Sequence, residues 1–217
     1  MNSATRLLTV SGPIGPIDCA LDLPPSPGVR AIAVIAHPHP LFGGTRDNKV
    51  VQTITRALLQ AGCACWRPNF RGIGGTAGTF DNGQGEAQDL LSVVEQASLD
   101  ESAQNLPRPI LLYLAGFSFG SFVQTMVAQE IDRERFDLAP MILVGTATTN
   151  FAVPTVPPES IVIHGEVDDV VPLQSVMDWA RPQSLPVTVI PGSGHFFHGQ
   201  LNRVKSLVLR NLGVGNA

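Results

Sequence analysis

Clusters of positive charge are missing from this sequence. Its 14 lysines and arginines are outnumbered by 18 aspartates and glutamates, and nowhere do they gather into a patch. That leaves no electrostatic footprint for nucleic acid and no polybasic segment for a membrane surface. Long apolar runs are missing too. AIAVIA (31–36) and ILLYLA (110–115) fall far short of the ~20 residues that span a bilayer. Cysteines number three, at positions 19, 63 and 65, too few and too odd for a disulfide framework. Cys63 and Cys65 point to one face of an expected strand, which reads as packing rather than metal or redox chemistry. The opening MNSATRLLTVSG lacks a charged-then-apolar leader, so a cytoplasmic setting is expected. There is no internal repeat, no low-complexity tract, no HExxH pattern and no Cys/His cluster. No metal and no other cofactor is expected.

What is present suits a soluble globular chain. Of 217 residues, 44% are hydrophobic and 15% charged, enough for one substantial core, and a single α/β domain over residues 1–217 is expected. RLLTVSGPIGPIDCALDLP reads as two strands joined around Gly12 to Pro16. AIAVIA is the continuous apolar run of a strand covered on both faces. DNKVVQTITRALLQAG carries Val50, Ile54 and Leu58 at helical spacing, with Asp47 as its expected cap and Gly62 as its stop. CACWRP is a strand, and GQGEAQDLLSVVEQA a helix with Leu90, Val94 and Ala97 on one face. ILLYLA leads into a helix ending near Gln129. MILV, IVI and VTVI are further strands, and LNRVKSLVLRNL closes the chain as an amphipathic helix. Strands alternating with helices predict right-handed βαβ units in a mostly parallel sheet.

Between strand and helix lies Gly116-Phe117-Ser118-Phe119-Gly120, a G-x-S-x-G pattern in the context that gives it meaning. A serine on so tight a turn projects its hydroxyl above the sheet edge, and glycines two places either side leave room for crowded neighbours. A hydroxyl needs a base. Among the five histidines, His195 lies in PGSGHFFHG, a glycine-rich loop between the last strand and the last helix. His198 competes, but falls where that helix begins and reads as a surface residue. IVIHGEVDDVVPL supplies Glu166, Asp168 and Asp169 beyond a strand end. The H-G-x-x-D spacing favours Asp168 to orient the imidazole; Asp169 is expected to cap the helix that Pro172 helps start. His164 reads as a hydrogen-bonded structural residue. The order Ser118, Asp168, His195 is that of one hydrolase class.

These blocks, together with AHPHPLFGG and NFRGIGGTAG, resemble the small, lidless serine hydrolases of the α/β-hydrolase superfamily. The resemblance is to the dienelactone-hydrolase-like and short-chain esterase branches, and covers roughly residues 6 to 212. It implies an eight-strand, mostly parallel sheet with an antiparallel second strand, and acyl transfer to water through an acyl-enzyme. It also implies an oxyanion donor from the loop after the third strand. Relatives often have His-Gly there, whereas this chain has His37-Pro38-His39-Pro40. Prolines carry no N–H, so His39 N–H is the expected first donor, with Leu41 next, and Phe119 N–H at the helix start the second. The interval where relatives insert a cap, ATTNFAVPTVPPE (147–159), is too short and proline-rich for a lid. An open site acting on small ester or thioester substrates is expected, and cysteine nucleophiles in dienelactone hydrolysis make Ser118 a mild argument against that substrate.

Three rivals have weaker support. Paired imidazoles in HPHP could hold a metal, but no companion ligands occur. RGIGGTAG contains G-x-G-x-x-A (Gly72, Gly74, Ala77), near the dinucleotide fingerprint. TFDNGQG follows it, a loop where a phosphate-receiving helix should be; Arg71 is expected to hold this loop's shape. A hydrolase fold serving only as a binding module is the third.

Overall fold

The computed structural model describes residues 5–25 and 28–214. Its strands are β1 (Arg6–Gly12), β2 (Gly15–Asp22), β3 (Ala31–Ala36), β4 (Cys63–Pro68), β5 (Ile110–Phe117), β6 (Phe136–Leu138), β7 (Ile142–Val144), β8 (Ile161–Gly165) and β9 (Val187–Ile190). Its α-helices are α1 (Lys49–Gln60), α2 (Gln84–Leu99), α3 (Phe119–Glu130), α4 (Leu173–Ala180) and α5 (Leu201–Asn211). The sheet runs β1-β2-β4-β3-β5-β7-β8-β9, with β6 beside β5 off this path. Only β2 runs against its neighbours β1 and β4; from β3 onward the pairing is parallel.

β3 explains how the chain is layered. Its residues alternate between two cores: Ile32, Val34 and Ala36 face one, Ala31, Ala33 and Ile35 the other. Period-two alternation with both faces covered is why AIAVIA contains no polar residue. Leu90 and Val94 of α2, Val123 and Val127 of α3 and Val176 of α4 cover the first face. Val50, Ile54 and Leu58 of α1 cover the second, beside Val204 and Val208 of α5. Cys63 and Cys65 lie buried on that second face. Burial pushes the Cys63 thiol up to about 12 and the Cys65 thiol well above its ordinary range, so neither is a reactive thiolate.

The sheet is mostly parallel as expected, and among the described residues eight strands lie on its path while the three-residue β6 adds a ninth beside β5. The β6 sequence, FDL, has no apolar run to announce it. Two helix caps need correction. The cap of α1 is Asn48, whose side chain accepts the Val50 N–H at 2.8 Å; Asp47 instead faces the Arg67 guanidinium at 3.3 Å. Asp169 is exposed and caps nothing: Pro172 precedes α4, and Asp168 Oδ1 accepts the N–H groups of Val170 and Val171 at 3.0 and 2.8 Å.

Candidate active site

The turn between β5 and α3 is as tight as its glycines suggest. Ser118 has φ 56° and ψ −120°, a conformation costly for any residue with a side chain. Neighbours hold it there. Ser118 N–H donates to Val144 O at 2.8 Å. The buried Ser121 hydroxyl lies 2.8 Å from Gly116 O and 3.1 Å from Val144 O, and the Val144 N–H reaches its oxygen at 3.2 Å. Gln124 Nε2 donates to Val34 O and Ala115 O at 2.8 and 3.1 Å, joining α3 to the sheet beneath the turn. A Cβ on Gly116 would come within 2.5 Å of the Gly120 backbone, and one on Gly120 within 2.5 Å of His37 O. Only glycine permits either approach.

Two more strand ends bring their loops to the same place. His195 Nε2 lies 3.0 Å from Ser118 Oγ, and His195 Nδ1 lies 2.7 Å from Asp168 Oδ2. All three residues are buried. The Asp168 and His195 loops are laced together. Val167 N–H donates to Ser193 O at 3.0 Å, Glu166 N–H to Ile190 O at 3.1 Å, and Gly192 N–H to Glu166 Oε2 at 2.8 Å. A Cβ on Gly165 would overlap Ser193 O. Phe197, fully buried at φ 52°, anchors the other flank of His195 in the α1/α5 core. The Phe117 ring packs 4.9 Å from the imidazole. Glu166, Ser121, Gln124 and Phe197 carried no local sequence signal for these positions, since each acts through partners distant in the chain.

Burial works against an ionised Asp168. The hydrogen bond to His195, the Val171 N–H and the neighbouring imidazoles outweigh it and hold the carboxyl below its ordinary range. His164 is also buried. Its Nε2 lies 2.9 Å from Val171 O and 3.4 Å from Asp168 Oδ2, while burial pushes its pKa down. A neutral ring donating from Nε2 closes the turn that presents Asp168. His198 is exposed, ahead of α5.

In the HPHP loop, His37 is a tie between strand ends. Its Nε2 accepts the Phe70 N–H at 2.9 Å, and Nδ1 lies 2.7 Å from Pro38 O. With both nitrogens engaged it offers a metal nothing, and among the described residues no cluster of metal-ligating side chains occurs. His39 precedes a short 3₁₀ turn, and its Nδ1 accepts the Leu41 N–H at 3.3 Å. That bond engages the alternative donor. The backbone N–H groups of His39 and Phe119 make no hydrogen bond among the described residues, and the two rings lie 4.9 Å apart. Phe119 opens α3, so its N–H sits at the positive end of the helix dipole.

The glycine-rich RGIGGTAG loop is turned inward. Ala77 N–H donates to Pro16 O at 2.8 Å, and the Asp18 carboxylate accepts Asn69 Nδ2 at 3.0 Å and Gly75 N–H at 3.4 Å. The Asp18 carboxylate already faces the loop, which repels a pyrophosphate, the N–H groups of Gly72, Ile73, Thr76 and Ala77 donate to backbone carbonyls, and α2 starts only at Gln84. Arg71 braces the loop through Asp89, with Nε and Nη2 at 2.7 and 3.1 Å.

Fold and geometry agree with what the chain is similar to. No family model matches it. It is 32% identical, over 86% of its length and 80% of the relative's, to an uncharacterised protein of Rickettsia prowazekii. It is 32% identical to a lidless α/β serine hydrolase of Xanthomonas campestris, with a TM-score of 0.84 over 98% of this chain and 95% of that one. A Coxiella burnetii α/β serine hydrolase homologue gives 33% identity and a TM-score of 0.84, over 95% and 97% of the two chains. The chain belongs to the α/β-hydrolase superfamily, and its class is that of a hydrolase without a lid. Residues 147–159 accordingly hold no helix.

Proposed function

We propose that this chain is a serine esterase whose nucleophile is Ser118, acting on small carboxylic esters or thioesters through an acyl-enzyme. The single observation that carries this reading is the hydrogen-bonded line Ser118–His195–Asp168, with spacings of 3.0 and 2.7 Å.

Ser118 Oγ bonds to the substrate carbonyl carbon while its proton passes to His195 Nε2. Asp168 keeps the proton on His195 Nδ1, so that Nε2 is the free base, and stabilises the imidazolium that forms. The carbonyl electron pair moves onto oxygen, which the N–H groups of His39 and Phe119 receive. Collapse of this intermediate breaks the bond to the leaving group, which takes the proton from Nε2. Water then repeats the sequence: it gives His195 a proton, adds to the acyl carbon, and releases the carboxylic acid as Ser118 recovers its hydrogen. No metal or cofactor enters this scheme. The whole chain acts as one domain in it, and a cytoplasmic setting suits its three buried free thiols.

A panel of 4-nitrophenyl esters tests the reading. Turnover of the acetate or butyrate is expected, and Ser118→Ala should lower kcat by about 10⁴–10⁶. Unchanged turnover in that variant would remove Ser118 from the mechanism. A fold retained only for binding would give no turnover at all.

A further inference from the structure

Beside the two proposed oxyanion donors, aromatic rings from separate loops converge. The half-buried His39 ring lies 4.7 Å from Phe42, 4.6 Å from Phe80 and 4.9 Å from Phe119. Phe151, from the interval where relatives carry a cap, lies 5.2 Å from Phe119 and stacks on Phe122 at 4.6 Å and 18°. Phe119 and Phe122 are a buried floor. The upper rings are not buried: Phe80 and Phe151 are half-covered and Phe42 is 86% exposed. A cluster serving only the core would leave no such aromatic face in water.

The face continues into an open depression of about 440 Å³, whose lining includes Phe122, Met126, Phe151, Asn82, Gln84 and Asn150. Phe122 stands one helical turn beyond Ser118 on α3. The segment bearing Phe151 is fixed in place: Trp179 Nε1 donates to Val153 O and Pro154 O at 3.1 and 3.2 Å, and Val156 N–H to Gln183 Oε1 at 2.9 Å.

Charge narrows the occupant. Among the described residues no charged side chain lines the depression, and burial pushes the His39 imidazole below its ordinary pKa, leaving it neutral at pH 7. The arginines of the adjoining loops are engaged, Arg46 with Asp18 and Arg71 with Asp89. The carboxylates nearby, Asp81 beside Arg71 and the buried Glu86 that accepts Asp81 and Gly83 N–H groups, add no positive charge. Nothing here would receive a phosphate, while the amides of Asn82, Gln84 and Asn150 can bond hydroxyl or ether substituents.

From this arrangement we infer that the substrate is a neutral ester with an aryl group, seated on the face of His39, Phe42, Phe80 and Phe151 and reaching toward the amide-rimmed depression. The inference rests on the esterase reading above and names its substrate class.

Two matched pairs test it, each with one reacting bond: benzyl acetate against cyclohexylmethyl acetate, and methyl cinnamate against methyl 3-cyclohexylpropenoate. The aryl member of at least one pair should be favoured roughly tenfold in kcat/KM, the scale of good aromatic contacts. Phe151→Leu and Phe42→Leu should each bring that ratio toward one. A ratio is unaffected by a misfolded fraction, so poorly folding variants still report. S-benzoyl-N-acetylcysteamine should be cleaved at least as efficiently as benzoyl-coenzyme A, which bears the same thioester with added phosphates. Ratios near one in both pairs, ratios unmoved in both variants, or a tenfold preference for the coenzyme A thioester would each overturn the inference while leaving the esterase intact. A chain that cleaves none of these and takes no fluorophosphonate label fails earlier, at the esterase reading, and the inference falls with it.

Discussion

Glu166 Oε2 accepts the backbone N–H of Gly192 at 2.8 Å. The strand end that presents Asp168 thereby grips the loop that presents His195, and Gly165 lies directly against Ser193 O in the same seam. Gly165→Ala must push the His195 loop outward. A displacement near 1 Å costs about 10²-fold in catalysis, so kcat/KM for a 4-nitrophenyl ester should fall at least that far. Glu166→Gln keeps an acceptor and should cost only a few-fold. Equal effects from both would show that the seam does not set the imidazole's position.

Asp168 has two jobs carried by different oxygens. Oδ1 accepts two backbone N–H groups, and Oδ2 faces His195. Asp168→Asn can retain the first and lose the second, because an amide N–H facing His195 Nδ1 moves the ring proton to Nε2. Thermal unfolding should shift by only a few degrees, while kcat falls about 10⁴-fold. A kcat within tenfold of the parent would contradict the proposed role.

Glycine substitutions should separate close approach from mere backbone preference. Gly120→Ala places a methyl group against the carbonyls that end β3; rigid backbone cannot yield, and about 3 kcal/mol or more of stability should be lost. Gly192 has φ 65° with nothing near its missing Cβ, so Gly192→Ala should cost only about 1 kcal/mol. Urea unfolding of the two variants measures the difference directly.

Acid should weaken the fold through buried imidazoles before it reaches the carboxylates. Burial pushes His37 down to about 3, against about 6.5 in an unfolded chain. Between those values the unfolded chain binds the extra proton, so stability is greatest above pH 6.5 and declines as pH falls toward 3. His164, also pushed down, adds to the decline with the same sign. His37→Gln removes one titrating group. Urea unfolding from about pH 7 to pH 4.5 should show a slope shallower by about one proton, beneath a stability lowered at all pH values by the disturbed Phe70 N–H bond. An unaltered slope would contradict a neutral, buried His37.

Much of the fold was legible because burial on both faces writes itself into sequence: β3 and most of β5 are apolar runs, and α1 repeats its apolar residues every turn. β6 was not legible, since three residues along an existing strand need no pattern of their own. Asp47 and Asn48 are both good caps, and only the Arg67 side chain, from a strand folded alongside, decides between them. Asp168 and Asp169 posed the same problem, and a turn of two backbone N–H groups settles which one is held. The positions of Ser118, Asp168 and His195 could be sought through glycine-marked loops at strand ends. Their supports could not: Ser121, Gln124, Glu166 and Phe197 bond or pack with partners that approach only in the folded chain.

The central claim is that Ser118 Oγ is the group that attacks. Treating the folded chain with a fluorophosphonate and mapping the adduct by peptide mass spectrometry asks this directly. One phosphonyl group on Ser118 is predicted, with labelling slowed severely in His195→Ala. No adduct, or an adduct on Ser121 or any other residue in place of Ser118, would contradict it.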